Sequence, residues 1–231
     1  MAEAIPLFPL SHVLLPGMPL PLHVFEQRYR DLLADVTSAE RLGAFGVVAL
    51  RSGTEARTFG TAEGTTDGTA DVETVGTLAE ILEVETKPDG TSDLLSVGSR
   101  RFRVLRLLPE GDGASYLRAE VEYLDEPDGA LTREQATRAR ELIDVYDSLL
   151  VRLAGRATGS ELPEDANQLS YQLAARLPLG PAERQRLLAT ETTAQRLQDV
   201  AALLRREIAL LQRTRSIAVS PAVVRLPAGL N

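Results

Sequence analysis

The 231-residue chain has no cysteine and no tryptophan, and only two histidines; Lys87 is its single lysine. Without cysteine there are no disulfides, no thiolate nucleophile and no thiolate metal site. With His12 and His23 as the only imidazoles, zinc would have to be held largely by carboxylates, so the expectation is no metal and no cofactor. Aromatics amount to 4%, too few for a run of base-stacking platforms. Lys87 stands before Pro88, which rules out the Gly-Lys-Ser/Thr of a phosphate-cradling loop and the lysine base of a Ser-Lys dyad. Ser11 and His12 are adjacent, but adjacency does not orient a triad, and no G-x-S-x-G turn exists. Long apolar runs are missing too: no window reaches the length of a membrane span. The greasiest stretch, residues 5–33, is interrupted by Pro6, Pro9, Pro16, Pro19 and Pro21 and follows the acidic opening MAEA. That is not a secretory signal, and the expectation is a soluble, cytoplasmic protein with its prolines at strand ends, edges and turns.

What the chain has is 44% hydrophobic and 25% charged residues, enough for a real core in one large or two smaller domains. Charge divides it. Residues 1–125 hold eleven basic and twenty acidic side chains, whereas residues 126–231 hold fourteen and thirteen. The pattern changes at the same place, around EPDG at 126–129. Before it, SYLRAEVEY puts Leu117, Ala119, Val121 and Tyr123 on one face and Arg118, Glu120 and Glu122 on the other, the alternation of a half-buried strand. Further strands are expected at 44–51, 77–85, 93–97 and 102–108, with turns at KPDG (87–90) and EGDG (110–113). One helix, about 26–38, carries Leu32, Leu33 and Val36. Short strands in this turn rhythm point to a small barrel.

Beyond EPDG the chain reads as helix. Thr132 and Gln135 make a capping box, and Ala136, Ala139, Leu142, Ile143, Tyr146, Leu149, Leu150 and Leu153 form a core-facing stripe. Helices are expected near 165–177, from Pro181 to about 190, and over 193–213. The last carries Leu197, Val200, Leu204, Ile208 and Leu211, a seam read as a bundle core rather than an intermolecular coiled coil. The fold class is therefore α+β: a β-barrel half at 1–125, a helical subdomain at 126–215, and an extended apolar tail at 216–231.

Several polar groupings invite a chemical reading. Glu26, Asp31 and Asp35 lie on one helix and are read as a solvated face ahead of an acid/base pair. Arg100, Arg101, Arg103 and Arg106 form a basic run in an otherwise acidic half; solvation or pairing with carboxylates is the preferred account. Residues 51–76, rich in Gly, Thr and acid, are expected to form a mobile loop, either a flap over a binding face or a plain insertion.

PLFPLSHVLLPGMPLPLHVFEQRYRDLL (6–33) closely resembles the start of the N-terminal, substrate-binding domain of Lon proteases. FGVVAL (45–50), VGTLAEILEVETKPDG (75–90), GSRRFRV (98–104) and the helical stretch 169–211 continue the likeness. The resemblance implies a PUA-like pseudobarrel followed by helices, and a recognition part without the ATPase and protease modules. It implies a non-enzymatic module that binds exposed apolar segments of unfolded or client proteins, or serves as an adaptor in protein quality control with a protease or chaperone as partner. RNA or a small molecule is the alternative ligand of a PUA-like barrel, although the net-negative half lacks a basic footprint.

The candidate client site is Leu14, Leu15, Met18 and Leu20. Prolines break the regular alternation there, so the four would not all face one core, and exposed apolar side chains mark interaction surfaces; the competing account is that they close the barrel's end. The tail, with Ile217, Val219, Val223, Val224 and Leu226, is expected to dock on its own chain or on a second copy, which would make a homodimer.

Overall fold

The computed structural model describes residues 2–38, 41–51, 71–108, 114–155 and 161–214. Most of the 51–76 loop, the EGDG turn and the 216–231 tail lie outside them, and so does the docking expected of the tail. The chain falls into two units, Met1–Asp125 and Glu126–Asn231.

In the first unit, β1 (Glu3–Leu10) and β2 (Pro19–Val24) lead into α1 (Gln27–Val36), followed by a two-residue hairpin, β3 (Thr37–Ser38) and β4 (Arg41–Leu42). Then come β5 (Ala44–Ala49), β6 (Val75–Thr86), β7 (Ser92–Leu107) and β8 (Arg118–Tyr123). The sheet order is β2-β7-β6-β5-β1-β8, and β7 pairs again with β8, so the sheet closes on itself as the turn rhythm predicts. Among the described strands β1–β5 is the one parallel pair. Two apolar clusters fill the interior. One gathers Phe8, Phe45 and Leu94 with Tyr29, Leu32 and Leu33 of α1, and the Phe8 and Tyr29 rings stack at 3.9 Å. The other surrounds Phe102 with Leu7, Val48 and Val121.

Two strands expected at 93–97 and 102–108 are one, β7. The ladder with β6 continues across the gap, as Ala79 opposes Gly98 and Thr77 opposes Arg101 with a register shift between them. Gly98 is there for access rather than for a turn. The Pro16-Gly17 turn, with Gly17 at φ +79°, is closed by the Met18 N–H to Leu15 O bond at 3.1 Å and docks by Gly17 N–H to Gly98 O (2.8 Å) and Gly98 N–H to Met18 O (2.9 Å). A Cβ at Gly98 would meet the Leu15 carbonyl oxygen at 2.4 Å. Only glycine lets two backbones approach so closely.

The second unit is helical. α2 (Arg133–Ala154) starts at the predicted capping box, with the Gln135 N–H on Thr132 Oγ1 at 3.2 Å and the Thr132 N–H on Gln135 Oε1 at 2.8 Å. It ends at Gly155, which has φ +64°. α3 (Ala166–Arg176) is capped by Asp165, and α4 (Pro181–Ala189) opens on Pro181. α5 (Thr193–Thr214) packs against α2, α3 and α4, burying Leu197, Val200, Leu204 and Leu211 of the predicted seam and half-burying Ile208.

A polar node sits inside that apolar packing. Arg196 is wholly buried: Nε donates to Ser170 Oγ at 2.7 Å, Nη1 to Thr190 O at 3.1 Å, and Nη2 to Glu126 Oε2 at 3.0 Å and to Asn167 Oδ1. Its guanidinium lies 4.0 Å from the Tyr171 ring centre, and the Tyr171 hydroxyl donates to the same Glu126 carboxylate. A buried charge is tolerated when it is paired and its donors are satisfied. No helix among the described residues is long and apolar enough to cross a membrane.

Candidate functional site

The register of β2, β7 and β6 builds a surface in three rungs. Antiparallel pairing sets Pro19 beside Val97 and Val97 beside Glu80; then Pro21, Leu95 and Glu83; then His23, Asp93 and Glu85. All nine belong to the outward side, because their neighbours Leu20, Val24, Leu94, Ser96 and Ile81 are buried. Leu82 falls at a register shift between Ile81 and Glu83. A bulge takes the extra residue out of the ladder, and Leu82 is left 53% exposed. Leu95 is 37% exposed, and Phe25, just past β2, is 63% exposed with its ring 6.1 Å from that of His23. Extending the β5–β6 register from Ala44 opposite Glu80 brings exposed Leu42 opposite Leu82. Single exposed apolar residues are ordinary, but a group of them on one face is the signature of an interaction surface.

The edge of this face is closed to strand addition. Among the described residues β2 pairs only with β7. In an antiparallel ladder, alternate pairs exchange two hydrogen bonds, and prolines cannot belong to those pairs. Pro19 and Pro21 therefore turn toward the free edge, a phase that agrees with the Gly98 N–H to Met18 O bond one rung earlier. The edge offers carbonyls but no N–H until His23, and proline on an edge is a known block to pairing with another chain.

Charge is unevenly placed on the face. His23 Nδ1 lies 2.6 Å from Asp93 Oδ1, and Lys87 Nζ lies 2.7 Å from Asp93 Oδ2. The Lys87 hydrogen bond, and after it that from His23, holds the Asp93 carboxyl below its ordinary range, while the same bond raises Lys87. Glu80 and Glu83 make no ion pair or side-chain hydrogen bond among the described residues. The outer column is thus unneutralised carboxylate beside apolar surface.

The residues nominated from sequence lie elsewhere. Leu14, Leu15 and Leu20 are 3%, 0% and 4% exposed, and Met18 is half-buried against the same core as Leu14 and Leu20. The expectation that they form a presented surface is corrected. Prolines do break the alternation, but the Pro16-Gly17 turn folds Leu14 and Leu15 inward, and Leu20 takes the inward phase of β2. Pro19 and Pro21, on the outward phase, reach solvent instead.

The other polar groupings serve structure. Asp31 accepts from Ser115 Oγ at 2.5 Å and from Gln27 Nε2 at 2.7 Å, bonds that lower its pKa, Ser115 contributing most. Asp35 accepts from the Tyr116 hydroxyl at 2.6 Å; burial first, and then that bond, pushes Tyr116 up to about 12. Glu26 pairs with Arg28. These three acids hold the 115–116 segment and the helix start rather than forming an acid/base pair. In the arginine run, Arg101 is buried rather than solvated, donating to the Asp125 carbonyl at 3.3 Å. Arg100 covers the Tyr123 ring at 4.2 Å, and Arg106 forms a two-pronged pair with Glu120 at 2.7 and 2.8 Å. No cluster of metal-ligating side chains occurs among the described residues.

Leu82, Leu95 and Phe25 were not singled out from sequence. A signal existed for Leu95, because adjacent Leu94 and Leu95 in a strand must point to opposite faces. The same signal existed for Leu82 beside buried Ile81; what alternation misses is the bulge after it, which keeps Glu83 outward as well and returns Val84 to the core side.

Residues 4–206 match the family described as the ATP-dependent protease La (LON) substrate-binding domain. Lon protease 2 of Syntrophobacter fumaroxidans is 31% identical over 224 residues, 94% of this chain and 26% of that protein. Lon protease of Escherichia coli K12 is 32% identical over 162 residues, 67% of this chain and 20% of that protein. The chain thus spans at most 26% of either relative's length. The Lon N-terminal domain protein from Xanthomonas campestris superposes with a TM-score of 0.62 at 29% identity, covering 87% of this chain and 98% of that one. The N-terminal domain of Mycobacterium avium complex Lon protease shares the fold, with a TM-score of 0.54 at 18% identity, covering 88% and 98%. The matched region is a substrate-binding domain, and the 231 residues carry neither a P-loop nor a lysine able to serve a Ser-Lys dyad. With its β-barrel and helical unit, the chain belongs to the Lon substrate-binding domain family.

Proposed function

We propose that the protein captures exposed apolar segments of client proteins on the outward face of β2, β7 and β6, acting in the cytoplasm as a recognition module or adaptor in protein quality control. The observation that carries this is the grouping of Leu82, Leu95, Phe25, Pro19 and Pro21 on one solvent-facing surface. Proline and leucine side chains on a rigid sheet offer area without directional demands, which suits clients of varied sequence. Binding is through side chains, because the free edge of β2 lacks the donors for strand addition. Affinity is modest, since a flexible client loses conformational freedom when held.

The test is fluorescence anisotropy with a labelled apolar peptide of neutral polar flanks, against the protein and its Leu82→Ser/Leu95→Ser double variant. Burying one leucine contributes about 1.5–3 kcal/mol, so partial burial of two should make the variant bind about tenfold more weakly. Its melting temperature should be unchanged, because both side chains already face water. Equal binding by the variant, or tighter binding of a single-stranded RNA than of any peptide, contradicts the proposal.

A further inference from the structure

The apolar face is bordered on one side by Glu80, Glu83 and Glu85, aligned along β6 on the same outward phase. Alternate residues of a strand stand about 6.5–7 Å apart, a spacing that residues i and i+2 of an extended peptide reproduce. Glu80 and Glu83 have no partner among the described residues, and Glu85 has only the long-range attraction of Lys87. Nor is this border neutralised by its surroundings: residues 1–125 carry twenty acidic against eleven basic side chains. Lys87, the cation beside this border among the described residues, is already held by Asp93 at 2.7 Å, and Asp93 also bonds His23 at 2.6 Å.

Such a surface discriminates by charge. An apolar segment whose neighbours are Lys or Arg would place cations beside the glutamate column, whereas one with acidic neighbours would meet like charge. We infer that the face selects extended apolar segments interspersed with or flanked by Lys and Arg, and disfavours equally apolar segments with acidic flanks. The inference rests on the binding face proposed above and adds its substrate class. Because the glutamates are exposed, their contribution is screened by salt and acts largely on the rate of encounter.

The probe is a set of three labelled peptides with one apolar sequence and Lys, Ser or Glu at the flanking and interspersed positions, titrated against the full chain by anisotropy at low and high salt. The Lys peptide should bind about five- to tenfold tighter than the Ser peptide at low salt, the worth of a few exposed ion pairs. The Glu peptide should bind more weakly than the Ser peptide, and the differences should shrink at high salt. The triple variant Glu80→Gln/Glu83→Gln/Glu85→Gln should lose the Lys preference while binding the Ser peptide as before. Equal binding of the three peptides overturns the charge selection and leaves the apolar face standing. So does a Lys preference that survives in the triple variant. Ser-peptide binding that is insensitive to the Leu82→Ser/Leu95→Ser change overturns the face itself, and the selection with it.

Discussion

The helical unit and the outward face of the barrel treat charge in opposite ways. Inside the helices Arg196 is wholly buried, and each of its nitrogens has a partner among Ser170, Thr190, Glu126 and Asn167. On the barrel face, Glu80 and Glu83 are exposed beside Leu82 and Leu95 and have no ion pair or side-chain hydrogen bond among the described residues. A satisfied polar network makes a unit self-contained. Apolar surface and carboxylates left uncompensated mark the place where something else completes the interaction. The difference is what supports the proposal that recognition sits on the barrel face, with the helical node serving structure.

The largest effect that would break this contrast is in the helices. Arg196→Met should destabilise the helical unit by about 3–5 kcal/mol, because Glu126 is left without its buried cation; urea unfolding followed by helical circular dichroism measures it. A loss below 1 kcal/mol would mean that the node is not structural. Within the barrel, the two sides of the sheet should separate next. Leu15→Ala should cost about 2–5 kcal/mol, the price of a core cavity, whereas Leu82→Ser should stay within about 0.5 kcal/mol. Comparable losses for both would place Leu82 in the core and remove it from the binding face. The smallest expected effect is on binding. An apolar peptide N-methylated at alternate residues should keep its affinity within about twofold, since no ladder hydrogen bonds are used. A large loss in anisotropy titrations would show that the client adds a strand after all.

The fold was legible in the sequence where a local rule acts alone. Thr132 with Gln135, Pro181 at a helix start and the 117–123 alternation each act within a few residues, and each appears as predicted. Longer-range geometry was not legible. Continuity of β7 depends on Gly98 admitting the Leu15 carbonyl from far along the chain. The site suffered most from this. Reading the prolines as disruptive put Leu14, Leu15 and Leu20 outside, when one glycine turn folds the first two in and strand phase buries the third. The bulge at Leu82 shifts the strand phase, so that Leu82 and Glu83 both stay outward and Val84 turns to the core, a shift that strict alternation does not anticipate. Arg101, read from sequence as solvated or paired with carboxylates, is buried and donates to the Asp125 carbonyl, a contact 24 residues away that no local pattern announces.

The most direct test of the central claim is an amide-resolved NMR titration of the full chain with the Lys-flanked apolar peptide. Shift changes should gather on Leu82, Leu95, Val97, Phe25 and the Glu80–Glu85 stretch of β6, leaving the amides around Arg196 unmoved. Changes centred on the helical unit, or on the Pro16-Gly17 turn with the β6–β7 face silent, would contradict it.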